Sequence, residues 1–181
     1  IPFVKMKMKS PGSSHRATND LLWQNINSLP YFRGLLRAVE ARFYKRVELP
    51  PPVLDLGCGD GHFASIAFQQ PIEIGIDPWE KPAQEASLRR VYRQVIRGQG
   101  AYIPFENGTF SSGFSNSVLE HIEDVDSVML ELARVLKPGA PFIFCVPNHQ
   151  FLGNLSIGRL LDKLGLPCLA GEYRRFFNRI S

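Results

Sequence analysis

The stretch VLDLGCGDG at residues 53–61 indicates which fold this chain adopts. An apolar strand runs directly into a turn with glycine at alternate positions, and a helical pattern follows. Glycine lacks Cβ, so it can adopt positive φ and let a ligand approach the main chain, while the next helix offers free N–H donors. A purely structural turn is the alternative, but three glycines beside an acidic strand residue favour a binding turn.

A second motif follows at the distance expected for an adenosine-binding fold. IGID at 74–77 predicts a strand that ends in a carboxylate, Asp77, twenty residues after Gly57. In doubly wound folds a carboxylate at this place binds the ribose hydroxyls. The alternative for Asp77 is capping of a helix that begins near Trp79. The two motifs together are more specific than either one.

The spacing of the glycines indicates which adenosine cofactor binds. Dinucleotide sites use G-x-G-x-x-G, whereas this loop has G-x-G-x-G flanked by Asp55 and Asp60. Two carboxylates would repel a pyrophosphate and attract an ammonium group, such as the one at the methionine end of S-adenosylmethionine. A Rossmann domain for NAD or another nucleotide stays open as an alternative.

The rest of the chain supplies the strands and helices of an α/β fold. Short apolar runs separated by helix-length stretches predict strands at 53–56, 72–76, 95–96, 110–118 and 141–146. A helical face over 125–136 lies between the last two and ends at Lys137-Pro138-Gly139. We therefore expect a Rossmann-like three-layer fold with a mostly parallel central sheet.

Residues 1–50 are expected to form a flexible leader and a helical N-terminal cap. Apolar residues at steps of three and four over 20–45 predict two amphipathic helices, separated at Pro30. The apolar face of the second helix contains Phe32, Leu35, Leu36, Val39 and Phe43. Three prolines at 50–52 end this segment, so the binding domain is expected at 51–181.

Composition limits the class of protein. With 181 residues, 44% of them hydrophobic and 21% charged, the chain fits one soluble globular domain, and a net charge of +4 permits an anionic partner without requiring one. No apolar run reaches the roughly 18 residues of a membrane span. Three cysteines without zinc-site spacing indicate no metal site and a reduced, cytoplasmic location.

Five motifs, in order, resemble the class I S-adenosylmethionine-dependent methyltransferases, in particular the type 11 domain of small-molecule methyltransferases. They are VLDLGCGDG at 53–61, IGID at 74–77, IPFENGTF at 103–110, SNSVLEHI at 115–122 and LARVLKPGAPFIFCVPN at 132–148. The resemblance runs from about residue 51 to 150. It implies O-, N- or C-methylation of a small-molecule acceptor, with S-adenosylhomocysteine as the second product. A protein that binds the cofactor without turnover is the alternative.

The resemblance also implies roles for individual residues. Gly57, Gly59 and Gly61 would line the cofactor, Asp77 would hold its ribose, and Asn116 would face its methionine part. The further cofactor-binding positions are Asp55, Cys58, Pro78, Gly100 and Ala101. The chain departs from the family at Gln99, where an acidic residue often contacts the adenine amino group, so that contact must differ or use the backbone.

His121 is the one candidate catalytic residue. Methyl transfer from a sulfonium depends mainly on alignment, and a general base is needed only for acceptors of high pKa. His121 lies inside the SNSVLEHI motif and could accept a proton, although a structural role as a capping or packing histidine is the alternative. His62, next to Gly61, is expected in the first turn of a helix.

The sequence argues against nucleic acid as a partner. DNA amino-methylating enzymes carry an Asn/Asp/Ser-Pro-Pro-aromatic motif after the fourth strand, where this chain reads Ser-Asn-Ser-Val at 115–118. Cys145 lies in an apolar run and is expected to be a buried small hydrophobe rather than a nucleophile. Arginines cluster at Arg89, Arg90, Arg93 and Arg97 and again at Arg174, Arg175 and Arg179, and we expect them on solvated faces.

We expect the C-terminal part of the predicted domain to be incomplete. The family resemblance implies two strands after residue 147, but residues 151–181 show only a helix-like pattern and an aromatic-basic end. The edge of the strand at 141–146 would then be bare, and a bare edge invites pairing. We expect one of three outcomes: strands beyond Ser181, a tail folded over this edge, or a homodimer formed there.

Overall fold

The computed structural model describes residue 21 and residues 31–147. The predicted leader, most of the first predicted helix and the tail at 151–181 lie outside these residues. No helix in the described part of the chain has the length and apolarity that crossing a membrane requires. Residues up to Cys145 belong to one compact unit, and Val146 and Pro147 belong to a second.

Five parallel strands form the sheet of the described residues. They are β1 (Val53–Leu56), β2 (Ile72–Asp77), β3 (Tyr92–Arg97), β4 (Ser112–Asn116) and β5 (Phe142–Cys145). The strand order is β3-β2-β1-β4-β5, and every neighbouring pair is parallel. The order in which strands are added to the sheet therefore reverses between β1 and β4, and ligands of open α/β sheets bind at such a switch point. The predicted parallel α/β fold is confirmed.

Helices cover both faces of this sheet. They are α1 (Tyr31–Tyr44), α2 (His62–Ala67), α3 (Glu80–Leu88), a 3₁₀ turn (Leu119–His121) and α4 (Val125–Val135). One buried core contains residues of α1, α2 and α3 with Phe114, and the other contains residues of α4 with Ile103 and Phe110. This arrangement is the three-layer fold that the sequence predicts.

The central position of β1 in the sheet explains why VLDL is buried throughout. All four residues of β1 are buried, because β2 and β4 flank it and helices cover both of its faces. Val53 belongs to one core, whereas Leu54 and Leu56 belong to the other. Asp55 is the polar exception, only 3% exposed, at the end of the strand that leads into the glycine turn.

The strand predictions were right in position and wrong in some boundaries. β3 begins at Tyr92, three residues before the predicted run, and β4 begins only at Ser112. Phe110 instead makes an isolated parallel bridge to Leu136. β5 pairs with β4 alone among the described residues, so the three predicted outcomes for its outer edge stay predictions.

The first arginine cluster is exposed to solvent, as expected. Arg93 and Arg97 lie on β3, and Arg89 follows the end of α3. β3 is an outer strand of the described sheet, so its polar side chains reach solvent there, and Arg93, Gln94 and Arg97 are exposed.

The predicted apolar face of the N-terminal helix was also wrong. α1 forms as expected, but Leu35, Val39 and Phe43 are 48%, 47% and 62% exposed. The buried face carries Gly34, Ala38, Ala41 and Tyr44. Small residues let a helix axis approach its neighbours closely, and the Tyr44 ring then packs edge-on against the rings of Phe63 and Phe114.

Candidate functional site

A cavity of about 730 Å³ lies at the carboxyl ends of β1, β2 and β4, at the switch point of the sheet. Its volume suits a small-molecule ligand. All the predicted cofactor residues except Gly61 line it: Asp55, Gly57, Cys58, Gly59, Asp77, Pro78, Gly100, Ala101 and Asn116. The candidate catalytic residue His121 lines it as well. The fold thus brings together residues from three separate motifs and from the segment at 98–101.

The three glycines of the turn have different structural roles. All three adopt positive φ, at 77°, 54° and 75° for Gly57, Gly59 and Gly61. A Cβ on Gly57 would lie 2.4 Å from the Val118 side chain, and one on Gly61 would lie 3.1 Å from the Tyr92 ring, whereas one on Gly59 would meet nothing within 4 Å. Gly57 and Gly61 therefore permit close packing, and Gly59 leaves open space in the cavity.

Asp77 fixes the shape of this turn. Its Oδ2 accepts a hydrogen bond of 2.9 Å from the Gly59 N–H, and its Oδ1 accepts one of 3.0 Å from the Trp79 N–H. The second bond is to the N–H of Trp79, the N-cap residue of α3, and this helix has no side-chain cap, so Asp77 orders the turn before the helix and does not cap it. A carboxylate has about four acceptor positions, so Asp77 keeps the capacity to accept from a ribose as well.

Asp55 is buried beside a phenol. The Tyr92 hydroxyl donates a hydrogen bond of 2.6 Å to its Oδ2. Burial raises the pKa of Asp55 to about 7, although the bond from Tyr92 opposes the shift. Burial also raises the pKa of Tyr92 far above its ordinary value, so that Tyr92 remains a donor.

Asp60 does not act as a free negative charge in the cavity. Its Oδ2 lies 2.7 Å from Arg89 Nη2, and its Oδ1 accepts a hydrogen bond of 3.0 Å from the His62 N–H. The prediction that Asp55 and Asp60 act as two free carboxylates beside the turn is therefore wrong for Asp60. The paired Asp60 and the readily protonated Asp55 would repel an anion less than two free carboxylates.

The side of the cavity that follows β2 and β3 combines polar backbone with a large aromatic ring. Gln99 lines the cavity with Gly98, Gly100 and Ala101, and Trp79 lines it with 72% of its surface exposed. The chain after Ala101 is held in place by α4, because Arg134 donates to the carbonyl of Ile103 and Glu131 accepts from its N–H. Neither anchor carries a sequence signature, so neither was predicted.

The opposite side of the cavity contains a polar network that the sequence did not indicate. Arg37 of α1 lies 2.5 Å from Glu40 Oε2 and donates to Ser117 Oγ at 2.7 Å. Asn116 Nδ2 donates to the same Glu40 oxygen at 2.9 Å. Tyr44 ties the end of α1 to β4 by donating to the Ser115 carbonyl. Arg37 lines the cavity, although it precedes all five sequence motifs.

The two candidate histidines occupy different environments. His121 ends the 3₁₀ turn, and its side chain is exposed at the cavity. His62 begins α2, as predicted, and its Nε2 is buried without a hydrogen-bond partner in the described structure. Burial lowers the pKa of His62, which keeps its imidazole neutral. His121 is the better placed of the two to exchange a proton with a ligand.

Neither described cysteine is activated as a nucleophile. Cys58 and Cys145 are both free thiols. Burial raises the pKa of Cys58 far above its ordinary value and that of Cys145 to about 11, so both stay protonated near neutral pH. The described residues also contain no group of His, Cys, Asp and Glu that could hold a metal ion.

Sequence comparison connects this site with known proteins. The family model described as "Methyltransferase domain" matches residues 54–144. Norajmaline N-methyltransferase from Rauvolfia serpentina is 28% identical over 141 residues, which cover 68% of this chain and 48% of that protein. A methyltransferase from Mycobacterium sp. (strain KMS) is 31% identical over 88 residues, covering 48% of this chain and 35% of that protein. The chain thus spans about half the length of these relatives or less.

Structural comparison agrees at the level of the fold. A crystal structure of a S-adenosylmethionine-dependent methyltransferase from Thermotoga maritima superposes with a TM-score of 0.58 at 23% sequence identity. The match covers 78% of this chain and 66% of that one. A TM-score of this size at low identity supports the shared three-layer architecture and leaves the acceptor open.

Proposed function

This chain belongs to the methyltransferase domain family, and on that premise we propose that it transfers the methyl group of S-adenosylmethionine to a small-molecule acceptor. The observation that carries the proposal is the cavity at the switch point, bordered by the glycine turn and Asp77. Two features fit this cofactor: the open space in front of Gly59, and the buried Asn116 Oδ1, which has no donor among the described residues. An adenosine that carries an amino acid supplies both bulk and donors.

The residues of the cavity would act mainly by binding and orientation. The cofactor supplies an activated methyl group, so the protein must hold the acceptor in line with it. Asp77 and the 98–101 segment would bind the adenosine part, and Asn116 would bind the amino-acid part. His121 would accept a proton from acceptors of high pKa.

Two features support a small-molecule acceptor in preference to nucleic acid. Arg89, Arg93 and Arg97 are each paired with a carboxylate, namely Asp60, Glu73 and Glu80. Nucleic-acid binding needs cations that are free to neutralise phosphates. The relative from Rauvolfia serpentina is named for N-methylation of a small molecule. The free thiols of Cys58 and Cys145 support a cytoplasmic location.

Calorimetry with S-adenosylhomocysteine and NAD tests the cofactor. We expect S-adenosylhomocysteine to bind and NAD to show no heat of binding at the same concentration. Preferential binding of NAD would overturn the interpretation of the glycine turn. Because Trp79 lines the cavity, its fluorescence should also change on binding, and Trp79→Phe identifies that signal.

Transfer of labelled methyl groups tests the reaction. S-Adenosylmethionine with an isotopic methyl group is incubated with panels of amines, phenols and carbon acids, and with RNA and DNA. We expect label in a small molecule, and His121→Gln should lower kcat at least tenfold for hydroxyl acceptors without changing cofactor affinity. Label only in nucleic acid would contradict the proposed acceptor, and cofactor binding without any transfer would favour a binding protein.

A further inference from the structure

Arg134 of α4 uses every donor of its guanidinium on the protein itself. Its Nε and Nη2 donate to the two carboxylate oxygens of Glu131, both at 2.7 Å. Its Nη2 also donates to the Ile103 carbonyl at 2.9 Å, and its Nη1 donates to the Phe105 carbonyl at 2.8 Å and to Asn107 Oδ1 at 2.9 Å. A guanidinium has five N–H donors, so none is left for a ligand.

Glu131 completes the attachment of Ile103 to α4. Its Oε1 accepts from the Ile103 N–H at 2.8 Å, so side chains of α4 bind both polar backbone groups of Ile103. Hydrogen bonds from Arg134 lower the pKa of Glu131 to about 2, so the pair stays charged near neutral pH. Charge-assisted bidentate pairs hold a defined geometry. Arg134 and Glu131, the α4 clamp, thus fix the chain at Ile103.

The clamped chain continues a wall of the cavity. Residues 98–101 line the cavity and contain no helix or strand. At the first end of this segment, the Gly98 N–H donates to the Asp77 carbonyl at 3.0 Å, which ties the segment to β2. At the other end, Ile103 lies two residues after Ala101 and is bound by the α4 clamp. The wall is therefore held from both ends.

The segment that the α4 clamp binds has open space on its outer side. The Ile103 side chain is buried, but Tyr102 beside it is 76% exposed. A second cavity, of about 790 Å³, is lined by Tyr102, Pro104 and Phe105 together with both residues of the α4 clamp. Because solvent can enter here, the hydrogen bonds of the clamp matter to the position of the segment.

A small displacement of the wall would change the cavity. A Cβ on Gly100 would lie 3.0 Å from Leu56 Cδ1 and 3.2 Å from Val128 Cγ1, so the wall lies directly against β1 and α4. Val128 belongs to α4 and also lines the cavity. The helix α4 therefore sets the position of the wall twice, by packing at Gly100 and by the α4 clamp at Ile103.

We propose that Arg134 and Glu131 are positioning residues for the cofactor, because by binding Ile103 they fix the wall at 98–101 against which the adenosine part lies. This inference rests on the proposed function, which assigns the adenosine part to that segment. Neither residue lines the cofactor cavity, so both act through the segment and not by contact with the ligand. Without the α4 clamp, the ligand must order the segment as it binds, and this entropic cost lowers affinity.

Ligand affinity in an Arg134→Gln chain tests the proposal. The two ligands are S-adenosylhomocysteine and 5′-methylthioadenosine, which keeps the adenosine and lacks the amino-acid part. Calorimetry of the full chain should find both ligands weakened by the same factor, roughly fivefold or more, because both carry adenosine. Arg134→Lys keeps the charge but cannot form the bidentate bond, so its affinities should fall between those of wild type and Arg134→Gln. The temperature is one at which thermal unfolding shows every chain to be folded.

Hydrogen exchange locates the effect within the chain. In Arg134→Gln the amides of residues 98–105 should exchange faster than in wild type, while those of β1 and β4 keep their protection. Binding of S-adenosylhomocysteine should return the exchange of 98–105 towards the level of the wild-type complex. A purely structural role would leave the exchange of this segment unchanged or would raise exchange throughout α4 and the sheet.

Val135→Ala is the matched control. Val135 is fully buried on the same helix and lines neither cavity, so the smaller side chain should lower thermal stability and leave both affinities within twofold of wild type. Glu131→Gln gives a second route if Arg134→Gln does not fold. It keeps one acceptor for the Ile103 N–H but turns an amide donor toward Arg134, so it should weaken both ligands by roughly threefold.

The outcomes separate the inference from the proposed function. Unchanged affinity for both ligands in Arg134→Gln, or a loss no larger than that of Val135→Ala, would overturn the inference. Weaker binding of S-adenosylhomocysteine alone would place the effect at the amino-acid part, which also overturns it. Failure of the wild-type chain to bind either ligand would instead contradict the proposed function.

Discussion

The two sides of the cavity adopt the same left-handed backbone conformation in different ways. On the β1 side, three left-handed positions are all glycine, and Asp77 holds the turn from eighteen residues away. On the β4 side, the left-handed residue is Ser117, and Arg37 contacts it from eighty residues away. The first side is built from local backbone, whereas the second is built from side chains of distant elements.

The two sides differ in what their left-handed residues cost the folded state. Glycine takes positive φ without steric cost, so the β1 side is prepared for a ligand by its backbone alone. Ser117 takes it at a cost of about 1–2 kcal/mol, which must be offset by the contacts of α1 and β5 with the end of β4. Substitutions on the β1 side should therefore mainly change ligand affinity, and substitutions on the β4 side should mainly change the free energy of unfolding.

Gly59→Val should have the largest effect on affinity. A side chain at this position meets no protein atom, so it would occupy the cavity itself and weaken S-adenosylhomocysteine at least 100-fold in calorimetry. Gly139→Val is the matched control, since Gly139 also has positive φ and open space but does not line the cavity. The two variants should lose similar stability, and comparable affinities would remove Gly59 from the binding surface.

Asp77→Ala should have the next largest effect, and it should act on both properties. Affinity should fall at least tenfold as bonds to the ribose are lost. The free energy of unfolding should fall by about 1–3 kcal/mol, because the Gly59 and Trp79 N–H groups lose their acceptor. Asp77→Asn keeps one acceptor oxygen and should be milder in both. A loss of stability without a loss of affinity would leave Asp77 a purely structural role.

Asp55→Asn should change the pH dependence of stability. The folded pKa of about 7 lies above the ordinary value of 3.8, so the folded chain holds the extra proton between these values. Stability from this group is thus greatest at low pH and is lost as pH rises from about 4 to 7. The neutral amide still accepts from Tyr92, so urea unfolding should show a gain on the order of 2 kcal/mol at pH 8 relative to wild type.

The same variant should weaken the cofactor only a few-fold at pH 8, because one buried charge near its ammonium group is removed. Asp124→Asn serves as the control, since Asp124 also lines the cavity but hydrogen bonds from Ser127 lower its pKa instead of raising it. An unchanged stability profile between pH 4 and 7 for Asp55→Asn would contradict the raised pKa.

Ser117→Gly and Ser117→Ala should differ by the smallest amount. Both remove the hydroxyl that accepts from Arg37, but only glycine relieves the left-handed strain. Thermal unfolding should therefore find Ser117→Gly more stable than Ser117→Ala by about 1–2 kcal/mol. Equal stability of the two variants would show that the backbone at the end of β4 carries no such cost.

The sequence predicted those parts of the molecule whose signals are local. Each strand of the described sheet was found near its place, and α4 was predicted with its end at Lys137-Pro138-Gly139, where Gly139 has φ of 79°. The glycine turn and Asp77 were identified because residue type and spacing alone define their chemistry. Cofactor positions carried over from the family, such as Gly100 and Asn116, also line the cavity.

The errors arose where packing partners decide the outcome. The apolar stripe of α1 was expected to be buried, but small residues on its other face allow a closer approach to the core. The glycine pattern treated Gly61 like Gly59, although Gly61 packs against Tyr92 and Ala86 and does not line the cavity. Periodicity reports which residues share a face, and it does not report which face finds a neighbour.

The sequence by itself determined the order of strands and helices, the glycine turn and the acidic residue at the end of β2, because each depends on the conformational preferences of a few adjacent residues. Only the tertiary structure placed Arg37 and Glu40 at Asn116, some 76 residues from Glu40, and paired Asp55 with Tyr92. Such contacts depend on how helices pack on the sheet, and the free energy of packing is shared among many residues, none of which carries the signal alone.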